Sequence, residues 1–168
     1  MAKKDLLVLE QLPAWRKDNP YVLQGYRPLT DNYHDCLRTL AQLHNQTINI
    51  YTHLLGLLSF VLLAYVIQHS LRLRHTTATY EDGIAFGSFF VGLFACLSFS
   101  AGFHTFLDHS KRVHDRWLAI DFFGILCLVA GSWVPGVYYG FYCQRSVARF
   151  YLTMVNPQNK IIFQSSDR

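Results

Sequence analysis

Three long apolar stretches restrict what this chain can become. Residues 48–67, 83–106 and 117–142 are each long enough to cross a bilayer as a helix, which takes roughly 20 residues. The second holds no Lys, Arg, Asp or Glu, and the third holds only Asp121. Helices apolar on every face belong in lipid or deep inside a large protein, and 168 residues enclose too little interior to hide three of them. The chain averages mask this pattern, at 51% hydrophobic and 15% charged with a mean hydropathy of +0.14, because residues 1–43 are polar and charged. The expected fold is all-α, an integral membrane helical bundle with three transmembrane helices. Its expected parts are a cytoplasmic or interfacial N-terminal region (1–43), a membrane domain (44–155) and a polar tail (156–168).

The N-terminus begins Met1-Ala-Lys-Lys-Asp and its short Leu/Val stretch stops at Glu10 and Pro13, which does not read as a cleaved leader. Residues 15–26 are rich in Pro, Asn, Gly and aromatics, as expected of a segment lying at headgroup depth. Thr30-Asp31-Asn32 offers helix-capping chemistry. The apolar positions Tyr33, Cys36, Leu37, Leu40 and Leu43 then describe an amphipathic interfacial helix over 33–43. Lys3, Lys4, Arg16, Lys17, Arg27 and Arg38 precede the first span, and Lys111, Arg112 and Arg116 join the second to the third. The opposite side carries Arg72, Arg74, Arg145, Arg149, Lys160 and Arg168, so the positive-inside rule puts the N-terminus in the cytoplasm. Short loops at 68–82 and 107–116 make consecutive spans antiparallel neighbours.

The net charge of +4 does not read as nucleic-acid binding, because the basic residues are scattered around the spans and form no aromatic-interleaved strip. Membrane lipids are the expected surroundings. Cys36, Cys96, Cys127 and Cys143 show no metal-ligand spacing and read as packing residues.

Ionisable residues inside apolar spans are costly and normally face a protein interior with a partner. His104 and Asp121 are such residues, and a metal is the partner that suits them. Ser100 lies four residues before His104, on the same helical face, where it could orient the imidazole. Asn45, Asn49 and His53 share another face, with Gln46 and Thr52 beside it. Hydrogen bonding to other helices is the plain reading of that face, and a ligand role for His53 is the sharper one. His104 alone reads equally well as a core histidine bonded to a serine, since Zn²⁺ needs three or four ligands. His109 and His114, in a charged loop, read as solvated.

The segment His44-Asn45-Gln46-Thr47-Ile48-Asn49-Ile50-Tyr51-Thr52-His53-Leu54-Leu55-Gly56 closely resembles the first-span signature of the progestin and adipoQ receptor family, related to haemolysin III. Three further stretches resemble the same family in order: Asn19-Pro20-Tyr21 with Gly25-Tyr26-Arg27-Pro28, as in fungal members; Ser100-Ala101-Gly102-Phe103-His104; and Asp121-Phe122-Phe123-Gly124-Ile125. The resemblance runs from about Trp15 to Val155. It implies a seven-helix zinc-containing membrane receptor with a cytoplasmic N-terminus, linked to ceramidase-type amide hydrolysis and to lipid and zinc homeostasis. It further implies that His104 binds zinc with two histidines of the last helix, that Asp121 holds a water on the metal, and that Ser100 stands alongside. A lipid substrate and a protein ligand are the partners it suggests. Gln46 departs from the family's usual glutamate. After Val155 the chain turns polar, so it reads as a C-terminally truncated, N-terminal portion with an incomplete zinc site. The alternatives are a non-enzymatic three-span fragment and a small channel or transporter element lined by Asn49, His53, His104 and Asp121.

Overall fold

The structure is a computed structural model that describes residues 5–17, 19–74 and 78–155. Its three long helices are α2 (Thr47–Arg74), α3 (Tyr80–Phe106) and α4 (Lys111–Gly140), preceded by a short α1 (Tyr33–Arg38) and followed by α5 (Arg145–Val155). Segments Thr47–Ser70, Tyr80–Phe106 and Lys111–Gly140 are long and apolar enough to span a membrane. Leu55, Leu58, Leu62, Phe122 and Leu126 on these helices are exposed, as lipid-facing residues are. The chain is an all-α, multi-pass integral membrane protein.

Element boundaries depart from expectation at several points. α4 starts at Lys111 rather than near 117, because the Ser110 carbonyl accepts the first helical bond, from the His114 amide (2.9 Å), and serine suits that N-cap position. The α3–α4 loop therefore shrinks to residues 107–110. α2 continues through Arg74, seven residues beyond the expected end at Ile67. The interfacial helix stops at Arg38 and tightens into a 3-10 turn, Thr39–Ala41. Thr39 causes this: its hydroxyl donates to the Cys36 carbonyl (2.6 Å) and accepts from Arg27 (2.7 Å), competing with the helical ladder. The predicted headgroup segment holds defined backbone structure, since β2 (Gln24–Tyr26) pairs antiparallel with β1 (Leu7–Val8). The polar tail lies outside the described residues.

The chain divides into two compact units. The first comprises Met1–Leu57 and Leu97–Phe123. Asn32 caps α1, its side-chain oxygen accepting from the amides of His34 (2.8 Å) and Asp35 (3.4 Å). Gly25, at φ +89°, adopts a backbone conformation that a side chain would strain, and its carbonyl accepts from the Asn45 amide (2.9 Å) at the entry to α2. Thr30 and Asp31 donate backbone bonds to the carbonyls of Asp108 and His109 (3.1 and 2.9 Å), fastening the N-terminal segment to the end of α3. A Cβ on Gly102 would collide with the Trp117 ring, so glycine lets α3 close on α4 here.

The second unit comprises Leu58–Cys96 and Gly124–Arg168. Ser88 and Gly92 of α3 meet Gly131 and Cys127 of α4 in antiparallel register, and the Ser88 hydroxyl donates to the Gly131 carbonyl (3.1 Å). A Cβ at Gly92 or Gly131 would strike the backbone opposite, so these small residues let the two helices touch. Val137 of α4 packs on Ala148 and Leu152 of α5, flanked by Val134, Phe141 and Tyr151. Cys143 is exposed, which corrects its reading as a packing residue, whereas Cys36 is buried as expected.

Candidate metal centre and an adjoining buried ion cluster

Within the first unit, antiparallel contact of α2 and α3 brings His53 to His104, with ring centroids 6.2 Å apart and planes inclined at 44°. His53 Nδ1 lies 2.6 Å from the Asn49 carbonyl oxygen. A carbonyl can only accept, so Nδ1 carries the proton and Nε2 keeps a free lone pair. Fixing one ring nitrogen this way is how proteins orient a metal-binding imidazole. His104 Nδ1 is buried and has no hydrogen-bond partner. Asp121, half-buried at the start of the apolar part of α4, lies close enough for its charge to act on the His104 ring.

Other members of the predicted set are placed differently. Ser100 is buried at 7% exposure but does not bond His104 Nδ1, so orientation of the ring by that serine is not realised at this nitrogen. The polar face of α2, expected to bond other helices, bonds within itself: Asn49 donates to Gln46 Oε1 (2.9 Å) and His53 to the Asn49 carbonyl. Asn45 contributes its backbone amide to Gly25. His109 and His114 are half-buried rather than solvated, because their rings pack on Tyr33 (4.3 Å) and on Trp15 and Phe103 (5.2 and 5.3 Å).

Two imidazoles on one tetrahedral zinc would have ring centroids about 5 Å apart, given nitrogen–zinc bonds of roughly 2 Å. The observed 6.2 Å is near that value, and the orphaned His104 Nδ1 together with the free His53 Nε2 are donors of the right chemistry. The residues present fit part of a zinc site. Among the described residues, no three His, Cys, Asp or Glu side chains come together as a full metal-binding group.

Beside this pair lies a cluster that sequence reasoning passed over. Asp108 is sandwiched by Arg16 and Arg27, Arg27 Nε lying 2.5 Å from Asp108 Oδ2, and all three side chains are at most 3% exposed. Burial pushes the Asp108 carboxyl upward, and the guanidiniums of Arg27 and Arg16 pull against that shift. Arg16 also donates to the Arg27 carbonyl (3.0 Å), while Arg27 donates to the His104 and Thr105 carbonyls (2.7 and 3.3 Å) at the end of α3. Cations suit a helix C-terminus and an acid there does not. An aspartate two residues past the end of an apolar helix was therefore the signal for a buried basic partner. Close by, His44 is held down to about 4 by burial and by the charge of Arg27, and its Nδ1 accepts from the Gln46 amide (3.1 Å). A cavity of about 70 Å³ opens between Arg16, Gln46, His104 and His114.

The haemolysin-III related family profile matches residues 41–157. Over 149 residues the chain is 36% identical to the adiponectin receptor protein of Drosophila melanogaster, covering 88% of this chain and 32% of the fly protein. Progestin and adipoQ receptor family member 3 of Homo sapiens is 36% identical over 151 residues, 89% of this chain and 48% of its own length. The ADIPOR-like receptor IZH2 of Saccharomyces cerevisiae is 33% identical over 133 residues, 79% of this chain and 42% of its own. The chain thus spans between about a third and a half of the length of these relatives.

Proposed function

The chain belongs to the haemolysin-III related family, and from that premise we propose that it forms the N-terminal part of a zinc-dependent membrane receptor with lipid amide hydrolase activity of the ceramidase type. The observation that carries this reading is the pairing of His104, with its unpartnered buried Nδ1, and His53 across α2 and α3, with Asp121 in electrostatic reach. His104 is the principal zinc ligand and His53 the neighbouring nitrogen donor. Further ligands come from the rest of the longer protein that the relatives' lengths suggest. When bound, zinc supplies Lewis-acid polarisation of a carbonyl and a more acidic water.

The chain's own residues do the remainder. Asp121 accepts a proton from water in the site and orients it, a general-base role that a carboxylate close to the reacting centre can fill. Asn49 fixes the His53 ring through its carbonyl, and Ser100, buried one turn before His104, donates to the substrate carbonyl. The spans keep the reacting region apolar, so a lipid amide enters from the bilayer. The N-terminus lies in the cytoplasm, on the side of Arg16, Arg27 and Lys111.

The test is to express the chain with its downstream-encoded sequence and count zinc by elemental analysis after exhaustive dialysis. One zinc per chain, lost in His104→Ala and held in Asp121→Asn with the amide hydrolysis abolished, supports the reading. Zinc retained in full by His104→Ala defeats it. No zinc in the parent, together with four further spans lacking histidines, would favour the non-enzymatic membrane fragment instead.

A further inference from the structure

Among the described residues, the buried ion cluster sets two guanidiniums against one carboxylate. Arg16 and Arg27 share one carboxylate, that of Asp108. Arg27 has additional compensation, because it caps the α3 carbonyls of His104 and Thr105, where the helix end is partly negative. Arg16 has less. Its guanidinium carries five donors, of which the Arg27 carbonyl and Asp108 engage one nitrogen each. A guanidinium at 3% side-chain exposure with unspent donors is costly unless something negative approaches it.

The adjoining cavity is where that can happen. Arg16, Gln46, His104 and His114 supply its polar wall, Phe103 and Leu107 its apolar one, and none of its lining residues is acidic. The Arg16 guanidinium and the Gln46 side-chain amide are the donors that suit an oxyanion, while the His114 Nδ1 lies 3.3 Å from Asp115 Oδ1. About 70 Å³ holds roughly two waters' worth of liquid, enough for one carboxylate or phosphate group. We infer that this cavity is an oxyanion site in which the Arg16 guanidinium and the Gln46 amide bind a single carboxylate or phosphate group. The anion completes the charge balance of the cluster and so locks the N-terminal segment against the end of α3.

The cavity shares His104 with the metal reading, so the test is done without zinc and its deciding variant lies at Gln46. The chain is reconstituted in zwitterionic phosphatidylcholine nanodiscs in metal-free buffer. Acetate and inorganic phosphate are titrated against chloride at matched ionic strength, with the thermal midpoint followed by near-ultraviolet circular dichroism. Anything bound by the folded state alone raises that midpoint in a saturable manner. Acetate or phosphate is expected to saturate in the millimolar range or below, with chloride at least tenfold weaker. Gln46→Glu is the deciding variant, since it sets a carboxylate in the cavity and keeps the acceptor that Asn49 uses. It should melt higher than the parent without added anion and lose at least tenfold in acetate and phosphate affinity. Arg16→Lys should weaken binding similarly if it folds. Phosphatidic acid in the discs tells the sources apart: if it competes with inorganic phosphate the group belongs to a lipid headgroup, and if it does not the anion is water-borne. Equal response to all three anions, or an unchanged response in Gln46→Glu, overturns the inference.

Discussion

Replacing Asp108 with Asn would test whether the N-terminal segment is held by buried charge. The three side chains of the cluster are each at most 3% exposed, so water can do little to screen the two guanidiniums once the carboxylate is gone. Removing one partner from a buried ion pair typically costs about 3–5 kcal/mol, because the remaining charge keeps its desolvation penalty. Asparagine still offers one acceptor, which places the expected loss near 3 kcal/mol, toward the lower end of that range. The assay is reversible unfolding in mixed micelles with increasing sodium dodecyl sulfate, together with trypsin cleavage at Lys17, an exposed site on the segment the cluster anchors. Cleavage should accelerate in step with the lost stability. Asp115→Asn is the control: its Lys111 partner sits one turn away on an open surface, and breaking that 2.6 Å pair should leave stability unchanged within error. In a double-mutant cycle, Arg16→Gln added to Asp108→Asn should cost less than the sum of the two, since the second change removes a charge already stranded. A loss below about 1 kcal/mol for Asp108→Asn, or strict additivity in the cycle, would refute the argument that the pair is dry and coupled.

Gly92→Ala drives a methyl into the Cys127 carbonyl and should destabilise by about 1–3 kcal/mol, whereas Gly83→Ala, with open space around it, should be neutral or stabilising in the same detergent titration. His44 imposes a pH dependence: its folded-state value of about 4 lies below the ordinary 6.5, so the unfolded chain takes up a proton first as pH falls. Stability should hold above pH 6.5 and drop between 6.5 and 4, by about 1–2 kcal/mol once its half-buried position is allowed for, and His44→Gln should flatten that limb in a pH series of unfolding curves. Asn32→Ala removes both cap bonds of α1 and should cost about 1 kcal/mol, read from the unfolding midpoint.

The spans were legible because lipid demands a single property, apolar length, and composition alone reveals it. Their ends were not, since they depend on local bonds: Ser110 starts α4 early, and Thr39 stops α1 by hydrogen-bonding back to Cys36. The two-stranded pairing of Leu7–Val8 with Gln24–Tyr26 escaped notice for the opposite reason, as two or three residues carry no periodicity to read. α5 did carry a signal that went unread: Val147, Ala148, Tyr151 and Leu152 recur at helical spacing on its inner face, with exposed Arg145 and Arg149 off that face, and the arginines read only as flanking charge.

At the candidate site the same division holds between residues that are anomalous where they stand and residues that become important only through a partner. His104 and Asp121 were conspicuous because an ionisable group in an apolar helix is costly wherever the chain goes. Arg16 and Arg27 looked like ordinary basic residues of a cytoplasmic flank, where orientation alone explains them. Their burial follows from Asp108, which sits where the α3 carbonyls would repel it unless cations covered both at once. Arg27 does so, bonding the carbonyl of His104, the residue that faces His53. The N-terminal segment is therefore mechanically continuous with the end of α3 that carries His104. A change that loosens Asp108 should reach the His53–His104 pair without touching either ring.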